Sequence, residues 1–155
     1  MAITIQPLLK EDIPTKIRIE LEAFKNHPRI PMMWANGYNA ELYSFKESED
    51  RDGYDQANNY YWKAVDSETG EIIAAAEWSF RLDVEADAQQ KPVDEETPPP
   101  ADWPEGGNWP LRRFYKINFQ RMKREYLGGK PYISRLTTSS SMTGTQLTIL
   151  KCSTS

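Results

Sequence analysis

The chain has 155 residues, enough for one domain with a single hydrophobic core. Hydrophobic residues make up 39% of the chain. The formal net charge is -4, so we expect neither nucleic acid nor an anionic membrane as a partner. The N-terminus lacks the pattern of a signal peptide, no apolar run is long enough to span a membrane, and a single cysteine excludes an intramolecular disulfide. We therefore expect a cytoplasmic protein.

The chain begins with a predicted strand and an amphipathic helix. Apolar and polar residues alternate over Ala2 to Pro7, which is typical of a strand. Asp12 is a plausible N-cap, and Pro14 suits the first helical turn. Four apolar residues then fall on one helical face: Ile13, Ile17, Leu21 and Phe24. We expect a second, less regular helical piece over about residues 32–45, followed by a polar connector at residues 47–56, ESEDRDGYDQ.

The strongest pattern in the chain predicts an antiparallel hairpin. Two apolar runs, YYWKAVD at residues 60–66 and EIIAAAEWSFRL at residues 71–82, flank the short segment SETG. The glycine in that segment, Gly70, favours a tight turn. Because the second run lacks clean alternation, we expect it to be a central strand of the sheet with both faces covered.

Residues 83–108 have the composition of an inserted loop. They carry eight acidic residues and one lysine, and they contain PPP and GG, which disfavour regular structure. We expect Trp103 and Trp109 to attach the end of this loop to the core. A helix is predicted from Pro110 to Leu127, stopped by Gly128 and Gly129. One of its faces is apolar and the neighbouring face is basic, which suits either a phosphate-bearing ligand or a solvated face that balances the acidic loop.

Few residues in the chain are candidates for catalysis. The one histidine, His27, lies in a proline-rich segment, and one histidine with one cysteine cannot form a structural zinc site, so no metal is expected. Glu77 lies in the middle of an apolar run, where a buried carboxylate needs a partner or a raised pKa. It is therefore a candidate general base. Two alternatives stay open: Glu77 points outward, or it pairs with Lys63 across the hairpin.

The order of these elements resembles the GCN5-related N-acetyltransferases, especially members common in filamentous fungi. The similarity covers about residues 1–134 and depends on a few features of the sequence. These are the strand that leads into ED-x-P, the apolar helix ending at Ala23-Phe24, the run Ala-x-Glu-Trp-Ser-Phe, and the strand entry KPYI at residues 130–133. The resemblance implies an α+β fold with a mostly antiparallel sheet flanked by helices.

The resemblance also implies acetyl-CoA as cofactor and direct attack of an acceptor amine on the thioester. A small-molecule amine or a peptide amine would be the acceptor, and its pocket would be lined by Phe24, Trp34 and Trp78. Glu77 would be the base. Tyr132 and Ile133 would begin the strand whose open backbone groups bind the pantetheine arm of the cofactor.

The sequence departs from the family after Ser134. The expected glycine-rich loop, Q/R-x-x-G-x-G/A, which would bind the diphosphate, is absent, and residues 135–155 are rich in serine and threonine. We expect an irregular tail there, with at most a weak strand around Gln146 to Leu150. Two interpretations of the departure stay open: a shortened relative, or a tail that is not the natural continuation.

Two functions follow from this departure. The first is a truncated N-acetyltransferase, whether active or inactive. The second is a non-catalytic interaction protein built on part of the fold. Such a protein would expose sheet edges and apolar faces, so it would form a homodimer or bind a partner that covers them.

Overall fold

The protein has an α+β fold built around one antiparallel sheet. A computed structural model describes residues 2–82, 93–127 and 130–140, with the backbone alone for residues 135–140. The strands are β1 (Ile3–Pro7), β2 (Asn59–Asp66), β3 (Ile72–Arg81) and β4 (Tyr132–Ser140). The helices are α1 (Ile13–Phe24), α2 (Arg29–Met33), α3 (Ala40–Tyr54) and α4 (Trp109–Met122), with a 3₁₀ turn at Lys10–Asp12 and a π-helical turn at Lys123–Leu127.

The four strands lie in the sheet in their sequence order, β1-β2-β3-β4, and every neighbouring pair is antiparallel. The predicted hairpin is confirmed: β2 pairs with β3, and Gly70 adopts the positive φ of 73° that its turn requires. The predicted first strand and first helix are confirmed as β1 and α1. β3 is an internal strand of the sheet, as predicted, but the prediction that both of its faces are covered is wrong for the described residues, because their helices pack on one face.

The sheet has two very different faces. On the helix-side face, α1 packs against β3 and β4, and α3 packs against β2. The core on this side includes Ile13 and Ile17 of α1, Leu42 of α3, and Tyr61 and Ala75 of the sheet. The strand register places alternate residues on the other face, which we call the open face: Ile3, Ile5, Tyr60, Trp62, Trp78 and Phe80. In the part of the chain that the structure describes, we find no helix over the open face.

Helix α3 corrects one prediction. The charged segment at residues 47–56 was expected to be a connector, but α3 runs through it to Tyr54. Asn39 caps this helix, with its Oδ1 accepting a hydrogen bond from the Leu42 backbone N–H at 2.9 Å. Leu42 and Phe45 then bury one side of the helix, so the charged residues continue a helix whose first turns are held by core packing.

The described part of the acidic loop, residues 93–108, contains turns and no helix or strand. Its far end is attached to the core through Trp103 and Trp109, as predicted; their ring centroids lie 5.2 Å apart. Residues 83–92 and Gly128-Gly129 lie outside the described residues. Helix α4 begins at Trp109 with Asn108 as its cap. Among the described residues, no helix combines the length and hydrophobicity that crossing a membrane requires.

Strand β4 corrects a second prediction. We expected irregular structure from residue 135 onward, but β4 pairs with β3 as far as Ser140, opposite Ala74. The serine and threonine residues therefore occupy strand positions, because backbone pairing with an established neighbour compensates for their modest packing. The weak strand predicted around residues 146–150 lies outside the described residues.

Candidate functional site

A buried group of charged side chains lies between α1, α3 and the helix-side face of the sheet. Its centre is Lys16 of α1, which is only 1% exposed. The Lys16 Nζ lies 2.7 Å from Asp50 Oδ2, 3.5 Å from Glu77 Oε2 and 3.6 Å from Glu20 Oε2. A lysine this deeply buried is stable only when its charge is paired. The three carboxylates supply that pairing and bring α1, α3 and β3 together at one point.

Tyr61 completes the surroundings of Glu77. Its hydroxyl donates a 2.9 Å hydrogen bond to Glu77 Oε1, while Lys16 lies against the other carboxylate oxygen. Burial raises the pKa of Tyr61 far above its usual value, and the negative charge of Glu77 raises it further. Tyr61 therefore remains a neutral hydrogen-bond donor at physiological pH, and both oxygens of Glu77 have a fixed partner.

A second lysine extends the group toward the surface. Lys46 Nζ lies 3.0 Å from Glu20 Oε1. Burial alone would raise the pKa of Glu20, but the positive charges of Lys46 and Lys16 outweigh burial and hold this pKa below its ordinary range. Burial would likewise lower the pKa of Lys46, but the negative charges of Glu20 and Asp50 raise it. Glu20 and Lys46 are therefore both charged at neutral pH, and each stabilises the charge of the other.

Strand β4 contains an irregularity directly beside Glu77. Glu77 pairs with Thr137 and Trp78 pairs with Arg135, which leaves Leu136 as an extra residue in β4. Such a bulge bends and twists its strand and is common next to active sites. β4 is also the last strand of the described sheet, so the described residues provide no strand beyond its outer edge.

A cluster of aromatic side chains lies at the junction of α2, α3 and the acidic loop. Trp103 lies 5.0 Å from Trp34 and 5.2 Å from Phe45, measured between ring centroids, and its indole N–H donates to the Gly107 carbonyl. A Cβ at Gly107 would come within 2.6 Å of the Trp103 indole nitrogen and 2.9 Å of the Trp34 ring. The loop can therefore cross these rings only where it has no side chain.

The basic face of α4 has partners within the chain. Arg112 donates to Glu49 of α3 at 3.1 Å, and Arg113 lies 3.9 Å from Glu95 of the acidic loop. Lys116 lies over the Trp109 ring, 5.7 Å from its centroid. Burial lowers the pKa of Lys116, and the neighbouring Arg112 lowers it further. These contacts favour the interpretation in which the basic face balances acidic residues of the same chain.

The predicted site residues lie in several separate places. Trp34 is buried in the aromatic cluster, whereas Phe24 contacts His27 edge to face at the end of α1. Trp78 lies on the open face of the sheet, opposite to Glu77, because adjacent strand residues point to opposite faces. The described contacts therefore do not bring Phe24, Trp34 and Trp78 into one pocket.

The predicted strand entry is present in β4. Tyr132 pairs with Arg81 and lies under the Lys123 ammonium, 4.9 Å from its ring centroid. Ile133 pairs with Phe80 and is half exposed. These residues and the pair Glu77 and Trp78 all lie on β3 and β4, within a few positions of the bulge at Leu136.

Sequence reasoning missed Lys16, Glu20 and Asp50. The partners of Glu77 are Lys16 and Tyr61, whereas Lys63 pairs with Asp12 at 2.5 Å. One signal was present: Lys16 and Glu20 are four residues apart and border the apolar stripe of α1. Asp50 gave no such signal, because it lies in a segment that was interpreted as a connector.

No protein-family model matches the chain, and the comparison with curated proteins finds no similar sequence. The solved structures that match the chain include two acetyltransferases. The first is named "histone acetyltransferase HPA2 and related acetyltransferase" and comes from Corynebacterium glutamicum. Its sequence is 20% identical to this chain and the TM-score is 0.49; the match covers 91% of this chain and 61% of the other. The second is an aminoglycoside 6'-N-acetyltransferase from Acinetobacter baumannii, with 18% identity, a TM-score of 0.33, and coverage of 53% and 45%. The chain thus spans less than two thirds of the length of either protein.

Proposed function

We propose that this chain is the first half of a GCN5-related N-acetyltransferase fold and that acetyl-CoA binds along β4. The observation that carries the proposal is the bulged edge strand. The α+β fold, with an antiparallel sheet and with α1 between β1 and β2 along the chain, is what the sequence resemblance implied. In that arrangement β4 is the strand expected to offer backbone groups to the cofactor, and its bulge at Leu136 lies beside Glu77 and Trp78.

The described residues fit only one part of acetyl-CoA. The edge of β4 offers backbone hydrogen-bonding groups to the amide-rich pantetheine arm. The diphosphate needs backbone N–H groups at a glycine-rich helix start, and the sequence after β4 contains a single glycine, Gly144, without that motif. We therefore propose that the chain holds the arm of the cofactor and makes no specific contact with the diphosphate. The cofactor, when bound, would supply the activated acetyl group.

Glu77 remains the proposed proton acceptor for an acceptor amine. It is the carboxylate that lies beside the bulge in the strand register, and Lys16 and Tyr61 orient its two oxygens. Those partners also occupy it: the side chain is 8% exposed and faces α1 rather than solvent. We propose that Tyr61 relays the proton of the amine to Glu77, because its hydroxyl is already hydrogen-bonded to Glu77. The Tyr61 hydroxyl would pass its own proton to Glu77 while its oxygen takes up the proton that the amine loses.

Calorimetric titration tests the proposal with two ligands, acetyl-CoA and S-acetylpantetheine, which lacks the nucleotide and the diphosphate. If β4 binds only the arm, the two ligands should bind with dissociation constants within about threefold of each other. Absence of heat with both ligands would contradict the proposed function. A dissociation constant for acetyl-CoA more than about tenfold below that of S-acetylpantetheine would show that a diphosphate site exists after all.

Two deletions make the test specific to the bulge. Deleting Leu136 removes the extra residue, and we expect it to abolish binding of both ligands because the edge of β4 becomes regular. Deleting Ser140 shortens the same strand by one residue at its far end and serves as the matched control. Equal binding by the two deletion variants, with circular dichroism unchanged, would contradict the role of the bulge.

A further inference from the structure

The open face of the sheet has large apolar residues on every one of its four strands. Exposed fractions are 66% for Ile5, 48% for Ile3 and 49% for Tyr60. Trp62 is 41% exposed and Ile133 of β4 is 48% exposed. Large apolar side chains this accessible and this close together mark an interaction surface in a protein that folds stably.

The strand register places few charged residues on the open face, and they are of opposite sign. Asp66 lies at the hairpin end, where it accepts a hydrogen bond from the Glu68 backbone N–H, and Arg135 lies opposite Trp78. A strongly acidic or strongly basic partner would therefore find no matching excess of charge on these strands. A surface made mostly of aromatic and aliphatic residues is, in contrast, complementary to a copy of itself related by a two-fold axis.

The size of the open face agrees with a weak, reversible interface. Four strands spaced about 4.8 Å apart and about eight residues long, at about 3.4 Å per residue, cover roughly 500 Å² in flat projection. Two such faces packed together would bury roughly 1,000 Å² of surface in projection, which is close to the lower limit of about 1,200 Å² of buried area for specific interfaces. Two sheets stacked face to face about 10 Å apart are a common packing arrangement.

We propose that the open face is the interface of a homodimer, in which the sheets of two copies pack face to face. Trp62 of the internal strand β2 lies near the middle of that interface, and Ile5 lies on the neighbouring edge strand β1. This proposal does not rest on acetyl-CoA binding, because the open face and the edge of β4 are separate surfaces and their readouts are independent.

Sedimentation velocity on the full chain, from about 1 µM to about 100 µM, tests the dimer. We expect the weight-average mass to rise from 17.9 kDa toward twice that value as concentration increases. The variants Ile5→Lys and Trp62→Lys each place a charge on the open face, and each should hold the mass at 17.9 kDa over the whole range. Both residues are exposed in the monomer, so circular dichroism should be unchanged.

Thr4→Lys is the matched control, because Thr4 lies next to Ile5 in β1, is also exposed, and points to the helix-side face. It should dimerise like the wild type. A wild-type mass that stays at 17.9 kDa at all concentrations would overturn the proposal. Equal loss of association in Thr4→Lys and Ile5→Lys would also overturn it, because that result indicates pairing through the backbone edge of β1. Association that continues beyond a dimer would also overturn the proposal, because a two-fold interface closes at two copies.

Discussion

The two faces of the sheet reverse the usual relation between polarity and burial. On the helix-side face, polar residues of β3 are buried: Glu77 is 8% exposed and Ser79 is 1% exposed. On the open face, large apolar residues such as Ile5 and Trp62 remain accessible. Both faces belong to the same strands, so the difference arises from what covers each face.

This difference shows how burial of polar groups depends on partners from other elements. Glu77 is tolerated beneath α1 because Lys16 and Tyr61 satisfy its oxygens, and Lys16 is tolerated because carboxylates from α1, α3 and β3 surround it. The open face has no such covering element among the described residues. Substitutions on the helix-side face should therefore cost stability, whereas substitutions on the open face should change association.

The largest effect is expected at Lys16. Lys16→Met removes the cation that three carboxylates surround, so we expect the free energy of unfolding to fall by about 3–5 kcal/mol. Urea unfolding measures this loss. Lys10→Met is the control, because the Lys10–Asp55 ion pair is exposed and should contribute only about 0–1 kcal/mol. Similar losses in the two variants would mean that the buried charges do not hold the helices to the sheet.

Truncation of aliphatic residues compares the two faces directly. Ile17→Ala on α1 leaves a cavity beneath the helix-side face and should cost about 2–5 kcal/mol, because Ile17 is 1% exposed. Ile5→Ala on the open face should change the stability of the monomer by less than about 0.5 kcal/mol. Both values come from urea unfolding at low protein concentration. A large loss for Ile5→Ala under those conditions would show that the open face is covered within the monomer.

The adjacent tyrosines of β2 provide a finer comparison. Tyr61→Phe leaves Glu77 Oε1 without its hydroxyl donor, and we expect a loss of about 1–3 kcal/mol in the free energy of unfolding. Tyr60→Phe removes a hydroxyl from the open face, where the tyrosine is half exposed, and should be neutral within about 0.5 kcal/mol. Equal effects would contradict the buried Tyr61–Glu77 hydrogen bond.

The smallest expected effect is a change in the pH dependence of stability. Glu20 has a pKa below its ordinary value of 4.5 in the folded protein, so the unfolded chain takes up the proton first as pH falls. Glu20 therefore contributes stability above about pH 4.5, and this contribution is lost as pH falls through the folded-state pKa. Between pH 7 and pH 3, chemical unfolding should show a smaller loss of unfolding free energy for Glu20→Gln than for the wild type.

Glu22→Gln is the control for this measurement. Glu22 lies on the same helix and pairs with Lys25 at the surface, so its replacement should leave the pH dependence close to that of the wild type. If Glu20→Gln retained the full wild-type slope, Glu20 would not be the group whose protonation weakens the fold at acid pH.

Much of the fold could be predicted because its signals are local. Alternation predicted β1, one apolar stripe predicted α1, and two apolar runs around Gly70 predicted the β2–β3 hairpin. The two tryptophans at the end of the acidic loop were expected to attach it to the core, because such rings gain much from burial. Each of these predictions uses residues that are close together along the chain.

The missed features depend on distant residues. The charged residues of α3 are helical because Leu42 and Phe45, nearer its start, are anchored in a core built from other elements. The serines and threonines of β4 are in a strand because β3 lies alongside to pair with them. Neither partner is visible in a short window of sequence, so local composition favoured a connector and an irregular tail.

The sequence by itself determined β1, α1 and the β2–β3 hairpin, because periodicity and turn residues act over a few neighbours. Only the tertiary structure decided that Lys16 and Asp50 meet Glu77, and which face of the sheet the helices cover. Those outcomes depend on contacts such as the 2.7 Å approach between Lys16 and Asp50, 34 positions apart in the sequence. Contacts of this kind form when packed elements bring their side chains together, and local sequence preferences do not encode them.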